Sequence, residues 1–368
     1  MPPARDTASP PPAPPPRPGR TRQAAAFALI AAVCGLSATA FAYTGGWLSP
    51  DRLTPARIVD ALSDRGGDPI GHRRNHSKGI CFLGTFEASG AGTALSTASV
   101  LARGSYPVVG RFAIATGDPM AADASGRVRS LAVRIVAPDG QEWRSGMNNS
   151  PVFVVATPRA FYEQTVASEV DPATGHPDPK ALAHFFATHP ESAPFLAWAK
   201  TAPWTTSFAD QQYNSLNAFR FIDASGASHP VRWSLVPTAA PQVEPVAALA
   251  AKGPDFLEQD LKARLARGPL TWHLVATLAA PGDPTDDATK AWPADRPTVD
   301  LGTLEVTTAQ DEATGACRDI NYDPTILPTG IAPSDDPLLA ARSAVYANSF
   351  DRRTAELARH ATAAGSAR

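Results

Sequence analysis

The stretch AARSAVYANSFDRR near the C-terminus places Arg342 and Tyr346 four residues apart, with Arg353 seven beyond the tyrosine. On a helix those intervals put all three side chains on one stripe. A guanidinium beside a phenol stabilises the phenolate, and a phenolate is a hard ligand for a ferric ion. A second reactive group lies far upstream. RRNHSKG, Arg73 to Gly79, holds His76 among Arg73, Arg74 and Lys78. An imidazole titrates near neutrality and can move a proton in either direction. Arg111 interrupts the apolar run VVGRFAIA, where a buried cation needs an anionic partner. NNSPVF, Asn148 to Phe153, puts two amides just before an apolar strand. Taken singly, each piece also reads as ordinary structure: a basic turn, or a surface helix with a tyrosine between arginines.

These residues must be held by their elements. VVGRFAIAT, VRSLAVRIVAP, SPVFVVAT, AFRFIDAS, HPVRWSLVP, LTWHLVATLA and DLGTLEVTT are rich in β-branched and aromatic residues and several alternate in polarity, so strands are predicted. DASGASH between two of them marks a hairpin. Helices are predicted from about Pro55, at 95–103, 158–168, 178–200 and 245–267, and from Leu338 to the end. This order predicts an α+β fold, an antiparallel β-barrel of about eight strands with inserted and C-terminal helices.

The chain has 368 residues and a net charge of −2, which gives no general attraction to nucleic acid. Residues 1–22 are rich in proline and are predicted to form a disordered cytoplasmic arm. Residues 23–43 form an uncharged apolar run that as a helix spans about 30 Å, enough for one transmembrane crossing. Arg5, Arg17, Arg20 and Arg22 precede it, which places the N-terminus inside and residues 44–368 outside, on the periplasmic side of an inner membrane. A cleaved signal peptide remains the other reading, since ATA and AFA offer cleavage sites. Cys81 and Cys317 then face an oxidising compartment, where a disulfide between them is allowed; Cys34 lies in the apolar run.

Five stretches in the same order resemble the haem catalases, and most closely their short relatives, the catalase-related peroxidases. RRNHSKG is similar to the family's distal-histidine motif. GRFAIATGDP with GRVRSLAVRI, NNSPVF, NAFRFIDASG, and INYDPTILPTGIAPSDDPLLAARSAVYANSFDRR follow. The resemblance runs from Arg73 to Arg353. It implies bound haem b with Tyr346 as the iron ligand and Arg342 as its charge partner. It further implies that His76 and Asn148 are catalytic, that Arg73, Arg111 and Arg353 hold the propionates, and that Phe153 and Phe161 line the haem pocket. The implied reaction is reduction of hydrogen peroxide or an organic hydroperoxide by an organic electron donor, through a ferryl intermediate. Weak catalase activity accompanies that reading, and the family allows a homodimer.

Three departures shape the expectation. Ala113 stands where catalases carry a serine bonded to the distal histidine, so the His76 ring is expected to be loose. Asn75 stands where catalases often have a channel-narrowing valine, and Asn217 lies near the position of their proximal histidine that supports the ligand's arginine. The chain is also expected to be without the long arm and the C-terminal helical domain of catalases. Arg74 and Lys78 are expected to be solvated. True catalase, haem binding without turnover, rearrangement of lipid hydroperoxides and a purely structural barrel remain the competing readings.

Overall fold

The structure, a computed structural model, describes residues 19–49, 51–171 and 173–366. Most of the predicted disordered arm lies outside these residues. The chain divides into two compact units at Thr54/Pro55.

The first unit contains α1 (Arg20–Thr44), which begins three residues before the predicted apolar span and has no buried side chain. It is long and apolar enough to cross a membrane, as a signal sequence near an N-terminus also is.

The second unit begins with α2 (Pro55–Arg65), its proline at the first turn, where the missing N–H costs nothing. The strands β1 (Gly79–Ala88), β2 (Gly104–Ile114), β3 (Arg129–Val136) and β4 (Glu142–Asn148) form a meander. After α3 (Pro158–Ala167), β5 (Val170–Asp171) and β6 (His176–Pro177) pair as a separate small hairpin. The expected 178–200 helix is two, α4 (Pro179–Thr188) and α5 (Ala193–Thr201), because Pro190 interrupts it. β7 (Tyr213–Asn214), β8 (Phe219–Ile222) and β9 (Ser228–Pro237) follow, with the predicted hairpin between the last two. The 245–267 helix is likewise broken into α6 (Val246–Ala250) and α7 (Phe256–Leu265), with Gly253 at positive φ and Pro254 between them. β10 (Leu270–Leu278), β11 (Thr298–Asp311), β12 (Ile331–Pro333) and the long α8 (Pro337–Ser366) complete the chain. The helix expected at 95–103 is only a 3-10 turn at Ser99–Leu101, where β-branched Val100 packs into the core.

The strand order β10-β11-β1-β2-β3-β4-β7-β9 closes on itself through β9–β10 pairing, so eight strands form an antiparallel barrel. Alternation divides each strand between two faces. Phe112, Leu131, Val133 and Met147 point inward with Phe82, Trp233 and Trp272 and are essentially inaccessible. The alternate residues face outward. There, register aligns two rows across four strands: Gly79–Ala113–Ser130–Asn148 and Cys81–Arg111–Ala132–Gly146. Small residues dominate these rows, leaving a shallow floor outside the barrel.

Candidate functional site

A cavity with about 1360 Å³ of empty space, open at its mouth, lies over that floor. Barrel strands supply Arg111, Ser130, Ala132, Gly146 and Asn148. α8 supplies Arg342, Val345, Tyr346, Phe350 and Arg353, the stripe expected from their spacing. Arg73, His76, Phe153 and Phe161 line the same space, so the structure brings every candidate residue to one cavity.

His76 sits in the left-handed region at φ 53°, a conformation that costs a non-glycine residue about 1–2 kcal/mol. Its neighbours hold it there. The Ser77 amide donates to the Thr116 carbonyl at 2.9 Å, and its hydroxyl donates to Gly117 at 2.7 Å. Arg74 is not solvated, as expected above, but buried. It donates to Ser63 of α2 at 2.7 Å and to the Pro69 carbonyl at 2.7 Å, and pairs with Glu356 of α8. Lys78 is also not free: it bonds Asp123 at 3.0 Å and Asp255 at 2.7 Å. Arg74 and Lys78 therefore anchor the turn, their charges paired with carboxylates distant in sequence.

The expectation of a loose His76 ring is corrected. Ser130 Oγ lies 3.1 Å from His76 Nδ1. Ser130 is the direct register partner of Ala113, so the hydroxyl absent from β2 is present one strand over on β3. Burial pushes the His76 pKa down to about 3, and the nearby charges of Arg111, Arg65 and Arg342 add to this against a hydrogen bond to the Ile114 backbone. The ring is thus neutral at physiological pH, with Nδ1 engaged by Ser130; the tautomer with its proton on Nδ1 leaves Nε2 free to act as a base. The Asn148 side chain has no protein partner among the described residues and lines the cavity, so its amide is available to a ligand.

On α8, Arg342 Nη2 donates to the Tyr346 hydroxyl at 3.3 Å and to the Gly146 carbonyl at 3.2 Å. A Cβ at Gly146 would crowd that guanidinium nitrogen at 3.3 Å. Arg342 Nη1 donates to Asn217 Oδ1 at 2.6 Å, and Asn217 Nδ2 donates to Asp336 Oδ2 at 2.7 Å. Asn217 thus supports the arginine as a bridging amide. Burial raises the Asp336 pKa, opposed by bonds from Asn217 and the Leu338 amide.

Arg73 and Arg111 converge on Glu312, Arg111 with bonds of 2.8 and 2.6 Å. Gly79 makes room, since a Cβ there would lie 2.5 Å from the Arg111 guanidinium carbon. Burial, with Arg111 nearby, lowers the Arg73 pKa to about 9 although Glu312 opposes the shift. Burial raises the Glu312 carboxyl, but Arg111 and Arg73 outweigh it and hold the group below its usual range. Arg73 also donates to the Cys317 and Ile320 carbonyls at 3.0 Å each. Cys317 is disulfide-bonded to Cys81, which is the register partner of Arg111. Arg353 is buried with no carboxylate in salt-bridge distance among the described residues, so its charge is left for a ligand. Phe153 and Phe161 stack with centroids 6.0 Å apart.

The residues fit a haem. A floor of small residues suits a flat ring, the phenol of Tyr346 suits its iron, and the three arginines, less the one charge of Glu312, leave two positive charges for two carboxylates. Sequence reasoning missed Ser130, Glu312 and Asp336. Strand alternation could have flagged Ser130, which shares a face with Ala132 and Arg134.

The catalase family model matches residues 44–360. The chain is 38% identical over 331 residues to a catalase-related peroxidase of Synechococcus elongatus, covering 90% of this chain and 96% of that one. It is 35% identical over 305 residues to a catalase-related peroxidase of Mycolicibacterium paratuberculosis, covering 82% and 95%. A fungal catalase shares the fold with a TM-score of 0.71 at 19% identity, over 80% of this chain and 62% of that one. A bacterial catalase does so with a TM-score of 0.70 at 20% identity, over 82% and 61%, so this chain spans about three-fifths of each. From model match, identity and barrel topology together, the chain belongs to the catalase family.

Proposed function

We propose that the protein is a haem b peroxidase that reduces hydrogen peroxide or organic hydroperoxides with a small organic electron donor. One observation carries this reading. A neutral, held imidazole and a free amide share a cavity with a phenol paired to a guanidinium. Haem bound through Tyr346 would supply the electrons that cleave the O–O bond.

The chain's own residues do the rest. Arg342 keeps positive charge against the Tyr346 oxygen, favouring the phenolate as ligand, while Asn217 and Asp336 keep Arg342 in place. Arg73, Arg111 and Arg353 would hold the propionates, and Phe153 and Phe161 would cover the ring and exclude water. His76 Nε2 accepts the proton from the inner oxygen of a hydroperoxide and returns it to the outer oxygen, so that water or an alcohol leaves. Asn148 donates to the outer oxygen as its charge grows.

The apolar α1, the arginines before it and the Cys81–Cys317 disulfide support a single-pass inner-membrane anchor with the enzyme in the periplasm. The test is rapid mixing of the haem-loaded protein with hydrogen peroxide under oxygen detection. A peroxidase gives a changed haem spectrum that persists until an organic donor is added, with little oxygen. Immediate return of the resting spectrum with oxygen release would instead establish a true catalase.

A further inference from the structure

Beside His76 stands a second amide that the proposed reaction has not used. Asn75 lines the cavity, and Arg65 Nη2, from the last turn of α2, donates to its Oδ1 at 2.9 Å. A guanidinium donates only, so this bond settles which way the Asn75 amide faces. The oxygen is turned to Arg65, leaving the Nδ2 hydrogens with no protein acceptor among the described residues. Arg65 is unusual too. It is half-buried, has no carboxylate in salt-bridge distance among the described residues, and burial lowers its pKa with no compensating anion. Its charge reaches His76, where it disfavours the imidazolium.

A cation bonded to an amide oxygen withdraws density from it and makes the amide hydrogens better donors. We propose that Arg65 and Asn75 together form a second donor arm beside His76, which binds the outer oxygen of a hydroperoxide and small inorganic anions. This rests on the haem peroxidase reading above and adds to it a donor that Asn148 does not supply. Two amides then flank the imidazole, Asn75 adjacent to it in the chain and Asn148 beside Ser130 in the same cross-strand row, and only Asn75 has a cation behind it. The arrangement favours ligands that carry or develop negative charge and disfavours apolar ones at the same place. It also explains why a polar residue is tolerated at Asn75: its oxygen is satisfied by Arg65, and its hydrogens are kept for the ligand.

The test uses fluoride, a pure acceptor, titrated against the haem-loaded full chain and followed by absorbance. Asn75→Asp keeps the shape and converts the Arg65 bond into an ion pair, so the fold is preserved while the donor is lost. It should weaken fluoride binding by about 10-fold or more, the loss expected for a hydrogen bond to a charged group. Asn75→Leu should do the same without adding charge. Arg65→Met should weaken fluoride less. It should also raise the pH at which His76 titrates in the haem-free protein, read from its imidazole proton resonances. Fluoride affinity within twofold of wild type in both Asn75 variants would overturn the proposal and leave the peroxidase reading standing. A wild-type chain that takes up no haem would overturn both.

Discussion

Replacing Ser130 by alanine removes the only side chain bonded to the His76 ring among the described residues, at 3.1 Å from Nδ1. A neutral hydrogen bond of this kind contributes about 0.5–1.5 kcal/mol net. Every 1.36 kcal/mol is about tenfold in rate, so the first proton transfer should slow by about 2- to 13-fold, with haem content unchanged. Because Ala113 is the direct register partner of Ser130, the two Cβ atoms share a face about 5 Å apart. Ala113→Ser in the Ser130→Ala background should therefore recover much of the loss, which no effect of Ser130 on strand pairing alone would do. The assay is the bimolecular rate with limiting hydrogen peroxide in rapid mixing, alongside the nitrogen shifts of His76 in the labelled haem-free protein. Those shifts report which ring nitrogen carries the proton. A Ser130→Ala variant with the wild-type rate and the wild-type nitrogen shifts would refute the assignment of Ser130 as the group that orients the imidazole.

Tyr346→Phe should abolish stable haem uptake, measured by the ratio of haem to protein absorbance after reconstitution; retention with an unchanged spectrum would remove Tyr346 as ligand. His76 adds a pH dependence of stability. Its folded pKa of about 3 lies below the ordinary imidazole value of about 6.5, so the unfolded chain binds the proton first as pH falls. The native haem-free protein should lose about 1.4 kcal/mol per unit from near pH 6.5 down to about 3, and His76→Gln should flatten that part of a denaturation series. Joint replacement of Cys81 and Cys317 by serine removes a crosslink over 236 residues and should cost about 2–5 kcal/mol in urea unfolding. It should also speed haem loss, because the Cys317 carbonyl holds Arg73.

Much of the site was legible before any coordinates. The α8 stripe of Arg342, Tyr346 and Arg353 follows from helical periodicity, which depends only on neighbours within two turns. Strand alternation and the DASGASH turn likewise located the barrel hairpins, and motif order identified His76 and Asn148. Where local signals met a strong local breaker, the reading of one long helix failed, as at Pro190 and Pro254. The fates of the charged turn were not legible. Arg74 pairs with Glu356 and Lys78 with Asp255, carboxylates that only chain folding brings near.

The sequence by itself determined most of the strands and helices, though not SPVFVVAT, which is loop rather than strand, together with the faces their side chains occupy and the inventory of reactive groups, because these arise from short-range geometry. Only the tertiary structure decided which groups meet. Register set Ser130 beside Ala113 and Asn148, and pairing of β1 with β11 brought Cys81 to Cys317. The docking of α2 placed Arg65 on Asn75. Such contacts depend on pairing across tens to hundreds of residues, where a shift of one position turns every side chain to the opposite face.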